Sequence, residues 1–158
     1  LLSSQVKEVQ EEIDKTDFSS KEGPDKARQF LVQILDRIIT FMIGSSQAPR
    51  VARIILREHL FPSSAYDFIF AGFMGAILNS MADLIRVIGP HLSREQAMLS
   101  SITIAGQIII FRVAREAVVR ALSYEGYSPE ELQKIRGVIL SHTKSMLDEL
   151  QEAQGKQQ

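Results

Sequence analysis

The fold class is decided by residues 93–122, SREQAMLSSITIAGQIIIFRVAREAVVRAL. The segment opens with Ser93 and Gln96 at the spacing of a helix capping box, in which the two residues satisfy each other's free backbone N–H groups. Apolar residues then recur at helical intervals, and from Ile102 to Phe111 they leave almost no side of the helix polar. A helix that is apolar on every side must be covered on every side. The segment therefore predicts one long interior helix.

The rest of the chain has the same helical periodicity, and Pro and Gly separate its apolar stretches. A second capping-box spacing joins Ser128 to Glu131, with Pro129 at the favoured first helical position. We expect an all-α fold, a bundle of about six helices, with a domain boundary in the linker that ends near residue 22. Helices are predicted over residues 1–16, 24–44, 45–60, 62–88, 93–122 and 128–150.

Composition narrows the function classes. The chain has 158 residues, no Cys and a net charge of -1, so disulfides and thiolate metal sites are excluded and no basic surface for nucleic acid or anionic lipid is expected. The charge-free runs 68–82 and 96–111 fall short of the roughly 20 residues of a membrane span, so both are predicted to be buried core helices. The sequence contains no signal peptide and begins Leu1-Leu2 without an initiator Met, so we expect a piece, or the ordered part, of a longer cytoplasmic protein.

The histidines and acidic residues form no catalytic or metal-binding pattern. His59, His91 and His142 are far apart, and none has a second ligand or carboxylate at a suggestive helical spacing. Metalloprotease, nucleophile-elbow, dinucleotide and phosphate-loop motifs do not occur. We expect no enzymatic activity, no cofactor and no metal ion.

Arg112 allows two interpretations. Glu116 follows it by four residues and Arg120 follows Glu116 by four, so a ladder of ion pairs along one helix would account for its charge. Alternatively, Arg112 reaches into a mostly apolar pocket and fixes an acidic or polar ligand.

Glycines inside the predicted helices also allow two interpretations. Gly72, Gly75 and Gly106 each cost roughly 1 kcal/mol relative to Ala in a helix interior. Close packing of a neighbouring helix would offset that cost and is the favoured explanation, and a kink or a cavity wall is the alternative. The aromatic and Met residues nearby are typical of either a core or an adaptable apolar pocket.

From Ala27 to Leu150 the chain resembles the C-terminal domain of TetR-family transcriptional regulators, and among them the CecR-like branch. The resemblance covers about four fifths of the chain, and the helix order and the GQ-x-x-x-FR-x-AR-x-A segment are its most specific features. It is carried by REHLFPSSAYDFIF (57–70), VIGPHLS (87–93), IAGQIIIFRVAREAVVRAL (104–122) and SPEELQKIRGVILSHTKSML (128–147).

The resemblance implies a repressor in which a small apolar or amphipathic effector, bound between the middle helices, controls DNA binding by an N-terminal helix–turn–helix. That DNA-binding head is missing from this sequence. Residues 1–22 would then be the end of a connecting helix plus linker, and residues 23–158 the ligand-sensing and dimerisation domain. DNA would be bound only through the missing head, and we expect no specific binding of duplex DNA by these 158 residues.

The candidate effector site combines the aromatic and Met concentration with a polar contact from Gln107 or Arg112. Its predicted residues are Phe30, Ile34, Phe70, Phe73, Met74, Ile77, Gln107, Phe111 and Arg112.

The candidate homodimer interface combines the last two long helices into an isologous four-helix contact. Its predicted residues are Ile102, Ala114, Val118, Ala121, Leu132, Ile135, Ile139, His142 and Met146. In the alternative, the last helix only covers its own core. A structural helical interaction module, with its pocket filled by its own side chains, remains the second function class.

Overall fold

The computed structural model describes residues 2–44, 48–69 and 74–155. Every regular element within these ranges is a helix, which confirms the predicted all-α class. In chain order the elements are α1 (Leu2–Asp14), α2 (Gly23–Ile39), a π-helix (Thr40–Gly44), α3 (Ala48–Leu60), α4 (Ser64–Ile69), α5 (Gly75–Ile88), α6 (Arg94–Val113), α7 (Arg115–Leu122) and α8 (Pro129–Gly155).

Helix α5 forms the centre of the bundle, where it packs against both α2 and α6, and α8 contacts all three. Each buried Leu, Ile or Met side chain contributes about 1.5–3 kcal/mol, so the buried side chains of these four helices supply most of the stability of the fold. The most completely buried large side chains include Leu31, Ile34, Leu35 and Ile39 on α2, Met81, Leu84, Ile85 and Ile88 on α5, Ile104 and Ile108 on α6, and Ile139 on α8.

Helix α1 and the turn after it pack onto α2. Val9 and Ile13 belong to the hydrophobic core, and the rings of Phe18 and Phe30 meet edge to face with their centroids 6.1 Å apart. Gly23 starts α2 because any larger residue would overlap the backbone carbonyl of Phe18. The linker before residue 23 is therefore held against the bundle.

Both predicted capping boxes form. The Ser93 hydroxyl accepts from the Gln96 backbone N–H at 3.1 Å, and the Gln96 side chain accepts from the Ser93 N–H at 2.9 Å. Ser128 and Glu131 make the corresponding pair at 3.3 and 2.6 Å. These local hydrogen bonds fix the first residues of α6 and α8.

Two predicted helices differ from the structure in their boundaries. The helix predicted over 24–44 widens into a π-helix for its last turn, and the helix predicted over 93–122 breaks at Ala114, whose φ is -95° and ψ is 25°. The joint between α4 and α5, inside the predicted helix 62–88, lies outside the described residues.

Helix α8 is fixed along α2 by polar contacts at two places. Arg136 donates to both carboxylate oxygens of Asp36, at 2.7 and 2.8 Å. Further along, Arg28 pairs with Asp148 at 2.9 Å and donates to the Gln151 side chain at 2.7 Å. Because the bidentate Arg136–Asp36 pair has a fixed geometry, it sets which face of α8 points inward.

Candidate effector groove and self-association surface

The predicted effector residues on α2 and α5 lie in or beside the core. Ile34 and Ile77 are buried, and Phe30 and Met74 are half-buried. Phe70 and Phe73, which were to bound the same cavity, lie outside the described residues. The apolar cavity between these helices therefore stays a prediction.

The remaining effector residues lie on α6. Gln107, Phe111 and Arg112 are all half-buried, and Phe111 packs against the core. Arg112 faces a groove of about 260 Å³ that runs between α3 and the C-terminal end of α6. The groove is lined by Ala52, Arg53, Leu56, Arg112 and Val113. Sequence reasoning missed the contribution of α3, since no periodic pattern indicates which helix faces the end of α6.

The predicted ion-pair ladder is only half formed. Arg120 pairs with Glu116 at 2.8 Å, but in the part of the chain that the structure describes no carboxylate pairs with Arg112. The helix break at Ala114 lies between Arg112 and Glu116, so the four-residue spacing no longer places them side by side. The ladder interpretation is therefore wrong for Arg112, and its charge remains available to the groove.

The electrostatic surroundings of Arg112 are positive. Partial burial lowers the pKa of the Arg112 guanidinium, and the charges of Arg115 and Arg53 lower it further. Arginine remains protonated under such shifts because its ordinary pKa is so high. The groove therefore contains a permanent, partly desolvated positive charge.

Tyr127 is hydrogen-bonded to the backbone at the helix break. Its hydroxyl donates to the Phe111 backbone carbonyl at 2.8 Å, the acceptor that the Arg115 N–H would use in an unbroken helix. The Arg115 guanidinium lies over the Tyr127 ring, 5.3 Å from its centroid. Burial raises the pKa of Tyr127, while Arg115 and Arg112 oppose that rise. The sequence signal for this residue was its place before the capping-box Ser128, where an apolar residue often packs onto the helix.

The outer face of α6 is apolar and uncovered. Leu99, Ile102 and Ile110 are 57%, 49% and 52% exposed, and Gly106 lies between the two isoleucines. We call these four residues the outer stripe. Nothing lies within 4 Å of the position that a Cβ of Gly106 would occupy. The close-packing interpretation of Gly106 is therefore wrong within one chain, and the expectation that residues 96–111 form a buried core helix holds for only one face of α6.

The predicted interface residues separate into three groups. Ile135 and Ile139 on α8 are 3% and 1% exposed, so the core of their own chain covers them and they are removed from the predicted interface. Half-buried side chains are Leu132, Met146, Ala114 and Val118, and exposed ones are Ile102, Ala121 and His142. The exposed apolar residue that α8 presents instead is Val138, at 48%.

Features of a metal site or a membrane span are few in the described residues. Among those that the structure describes, no group of three or more His, Asp or Glu residues could hold a metal ion. Helix α6, with 20 residues, is the one described helix whose length and composition would allow it to cross a membrane, and 22% of it is buried. A single helix of this kind is weak evidence for a membrane protein, because helices of soluble proteins meet the same criterion.

Comparison with known proteins identifies the domain. A family model described as the C-terminal domain of the HTH-type transcriptional dual regulator CecR matches residues 27–150. A search of curated proteins found no match to the chain. The matched segment begins in the first turns of α2 and ends in the last turns of α8, so it contains the core, the groove and the outer stripe. The family is a regulator domain and not an enzyme class.

Proposed function

Because this chain belongs to the family of CecR C-terminal domains of TetR-type transcriptional regulators, we propose that it is the ligand-sensing and homodimerisation part of such a regulator. The family makes it a transcriptional-regulator domain; the two finer roles are the proposal. The observation that carries it is the juxtaposition of two features on α6: an uncovered apolar outer stripe and, at its C-terminal end, a groove containing an unpaired arginine.

The outer stripe supports homodimerisation. Large apolar side chains lie half exposed along one face of the helix. A partner that covers them gains about 25 cal/mol of free energy for each Å² of apolar surface removed from water. Leu99, Ile102, Gly106 and Ile110 follow one another at spacings of three, four and four residues, so they share one face of α6. Gly106 at the centre allows a second helix to approach closely. A second copy of α6, related by a two-fold axis, would cover this face.

A second copy suits the outer stripe better than lipid does. The middle of α6 carries Ser100, Ser101, Thr103 and Gln107, and polar side chains are disfavoured within the hydrocarbon of a bilayer. The hydroxyl of Thr103 is exposed and already donates to the Leu99 carbonyl.

Ligand sensing would use the groove beside Arg112 or the apolar interior near Ile77, and α6 is common to both. The same helix carries the outer stripe, so a ligand that displaces α6 would also alter the dimer. We propose that the effector is small and apolar or amphipathic, that DNA is bound through a helix–turn–helix outside this chain, and that the regulator acts as a cytoplasmic repressor.

A thermal-shift screen tests the sensing role. Small apolar and amphipathic compounds are added to the 158-residue chain, and the melting temperature is followed. A compound that binds only the folded state at 100 times its Kd stabilises it by about 2.7 kcal/mol, or roughly 5–11 °C for a domain of this size. If no compound in the set raises the melting temperature, the chain is better described as an interaction module without an effector.

The oligomeric state tests the dimerisation role. A single chain has a mass of 17.7 kDa, and sedimentation velocity at micromolar concentrations should give twice that value. A mass that stays at one chain up to tens of micromolar would contradict the proposed dimer.

A further inference from the structure

We propose that the groove between α3 and α6 binds a small monocarboxylate with an apolar tail, whose charged end is held by the guanidinium groups of Arg112 and Arg53. This inference rests on the ligand-sensing role proposed above and names the chemical class of its ligand. Both arginines line the groove, together with three apolar residues, Ala52, Leu56 and Val113.

Within the residues that the structure describes, the charge in the groove has no counterion. Arginine ion pairs in the described part of the chain involve other residues: Arg28, Arg37, Arg94, Arg120 and Arg136. Arg112 is half-buried and Arg53 is close enough for their like charges to oppose each other, which lowers the pKa of Arg112. A partly desolvated cation without a partner is unfavourable, and a bound anion would relieve both the desolvation and the repulsion.

The shape and lining of the groove select the rest of the ligand. Its volume of about 260 Å³ lies just below the roughly 300–1,000 Å³ of pockets for drug-sized molecules, so the ligand is small. Leu56 and Val113 are 38% and 43% exposed, and a short alkyl or aryl tail would cover them. The planar guanidinium group matches the two oxygens of a carboxylate, which accounts for the orientation of the charged end.

The position of the groove explains how binding could reach the rest of the fold. Arg112 and Val113 are the last residues of α6 before the break at Ala114. Tyr127, which lies in the segment before α8, bonds the carbonyl of the residue preceding Arg112. A carboxylate on Arg112 therefore lies next to the junction that joins α6 to α7 and α8.

Isothermal titration calorimetry with octanoate tests the proposal on the whole chain. Octanamide, which has the same tail without the charge, and acetate, which has the charge without the tail, are titrated in parallel. Arg112→Gln and Arg53→Gln remove the proposed contacts, Arg112→Lys keeps the charge without the fork, and Arg120→Gln removes an exposed arginine outside the groove as a matched control. Circular dichroism and thermal melting of each variant confirm that it is folded.

Octanoate should bind the wild-type chain, and octanamide and acetate should bind at least about tenfold more weakly. Losing a hydrogen bond to a charged group corresponds to on the order of 10- to 100-fold in Kd, which is expected for Arg112→Gln, with a smaller loss for Arg112→Lys and none for Arg120→Gln. Equal binding of octanoate and octanamide, or unchanged binding by folded Arg112→Gln, overturns the inference.

Two further outcomes separate this inference from the proposed function. If octanoate does not bind at millimolar concentration but a neutral compound raises the melting temperature, the carboxylate site is wrong and the sensing role stands. If neither octanoate nor any compound of the screen binds, both are wrong.

Discussion

The two faces of α6 have similar residues and opposite surroundings. On the inner face Ala97, Ser101, Ile104 and Ile108 are fully buried, whereas Leu99, Ile102 and Ile110 of the outer stripe are about half exposed. Isoleucine is the main large residue on both faces. The difference therefore comes from packing: α5 covers one face, and nothing in the described part of the chain covers the other. An apolar helix of this kind stabilises its own fold with one face and is available to a partner with the other.

The largest effect should come from the inner face. Ile108→Ala removes a buried side chain and leaves a cavity beside α5, which should lower the free energy of unfolding by about 2–5 kcal/mol. The matched control is Ile110→Ala on the outer stripe, which should change it by no more than about 0.5 kcal/mol when the chain is diluted to a monomer. Chemical denaturation measures both. Equal losses for the two variants would show that the faces do not differ.

The second-largest effect on stability should come from the C-terminal end of α6, where its two faces end. Beyond Ala114 no residue of α7 is buried, so the inner face does not continue. Tyr127→Phe removes the hydroxyl that bonds the Phe111 carbonyl and should cost about 1 kcal/mol. Denaturation of this variant, with Tyr124→Phe as the control on a neighbouring ring, measures the loss. An unchanged stability would mean that this hydrogen bond does not stabilise the junction.

Gly106→Ala should affect the stability of the monomer and of the dimer differently. In a single chain the new methyl group meets nothing, so the gain in helix propensity should stabilise the monomer by about 0.5–1 kcal/mol. In a dimer that uses the outer stripe, the same methyl group would meet the partner helix and reduce or reverse that gain. Measuring the substitution with and without Ile102→Glu, which should keep the chain monomeric, gives the coupling between the two sites. The same gain in both backgrounds would place Gly106 outside the contact.

The smallest effect is a pH dependence of the free energy of unfolding, which should come from a carboxyl group outside the two apolar faces of α6. Glu58 accepts hydrogen bonds from the Ser63 backbone N–H at 3.0 Å and from its hydroxyl at 2.7 Å, and these bonds lower the pKa of the Glu58 carboxyl. A carboxyl whose pKa is lowered by folding adds stability at neutral pH, and that stability is lost as the pH falls through the lowered pKa. Wild type should therefore be more stable than Glu58→Gln at pH 7, and the difference should vanish in acid. A difference that is constant from pH 7 to pH 3 would contradict this assignment.

The parts of the fold that were predicted correctly depend on local chemistry. The capping boxes at Ser93 and Ser128 were visible in sequence because their donors and acceptors are three residues apart. The break at Ala114 was not visible, and the hydrogen bond beside it joins the Tyr127 hydroxyl to the Phe111 carbonyl, sixteen residues away in the chain. Because the sequence did not reveal the break, Glu116 was considered as an ion-pair partner of Arg112.

The candidate sites were predicted less completely than the fold. The stripe on α8 was recognised as apolar, but periodicity cannot say which of two apolar faces turns inward. The Arg136–Asp36 pair and the core decide this, and they place Ile135 and Ile139 inside the chain. Arg112 was predicted as a polar contact of an apolar cavity, and that role stays a prediction. The structure places it in a groove with Ala52, Arg53 and Leu56, which required knowledge of how α3 packs on α6.

The central claim is that the outer stripe of α6 is the homodimer contact, and a matched pair of substitutions tests it most directly. Ile102 on the outer stripe and Ile54 on α3 are both 49% exposed, so Ile102→Glu and Ile54→Glu place the same charge on equally accessible positions. Sedimentation velocity at tens of micromolar should give a dimer for wild type and Ile54→Glu and a folded monomer for Ile102→Glu, because the new carboxylate would be buried without a partner in the dimer. If Ile102→Glu remains a dimer, or if wild type is already a monomer, the outer stripe is not the contact.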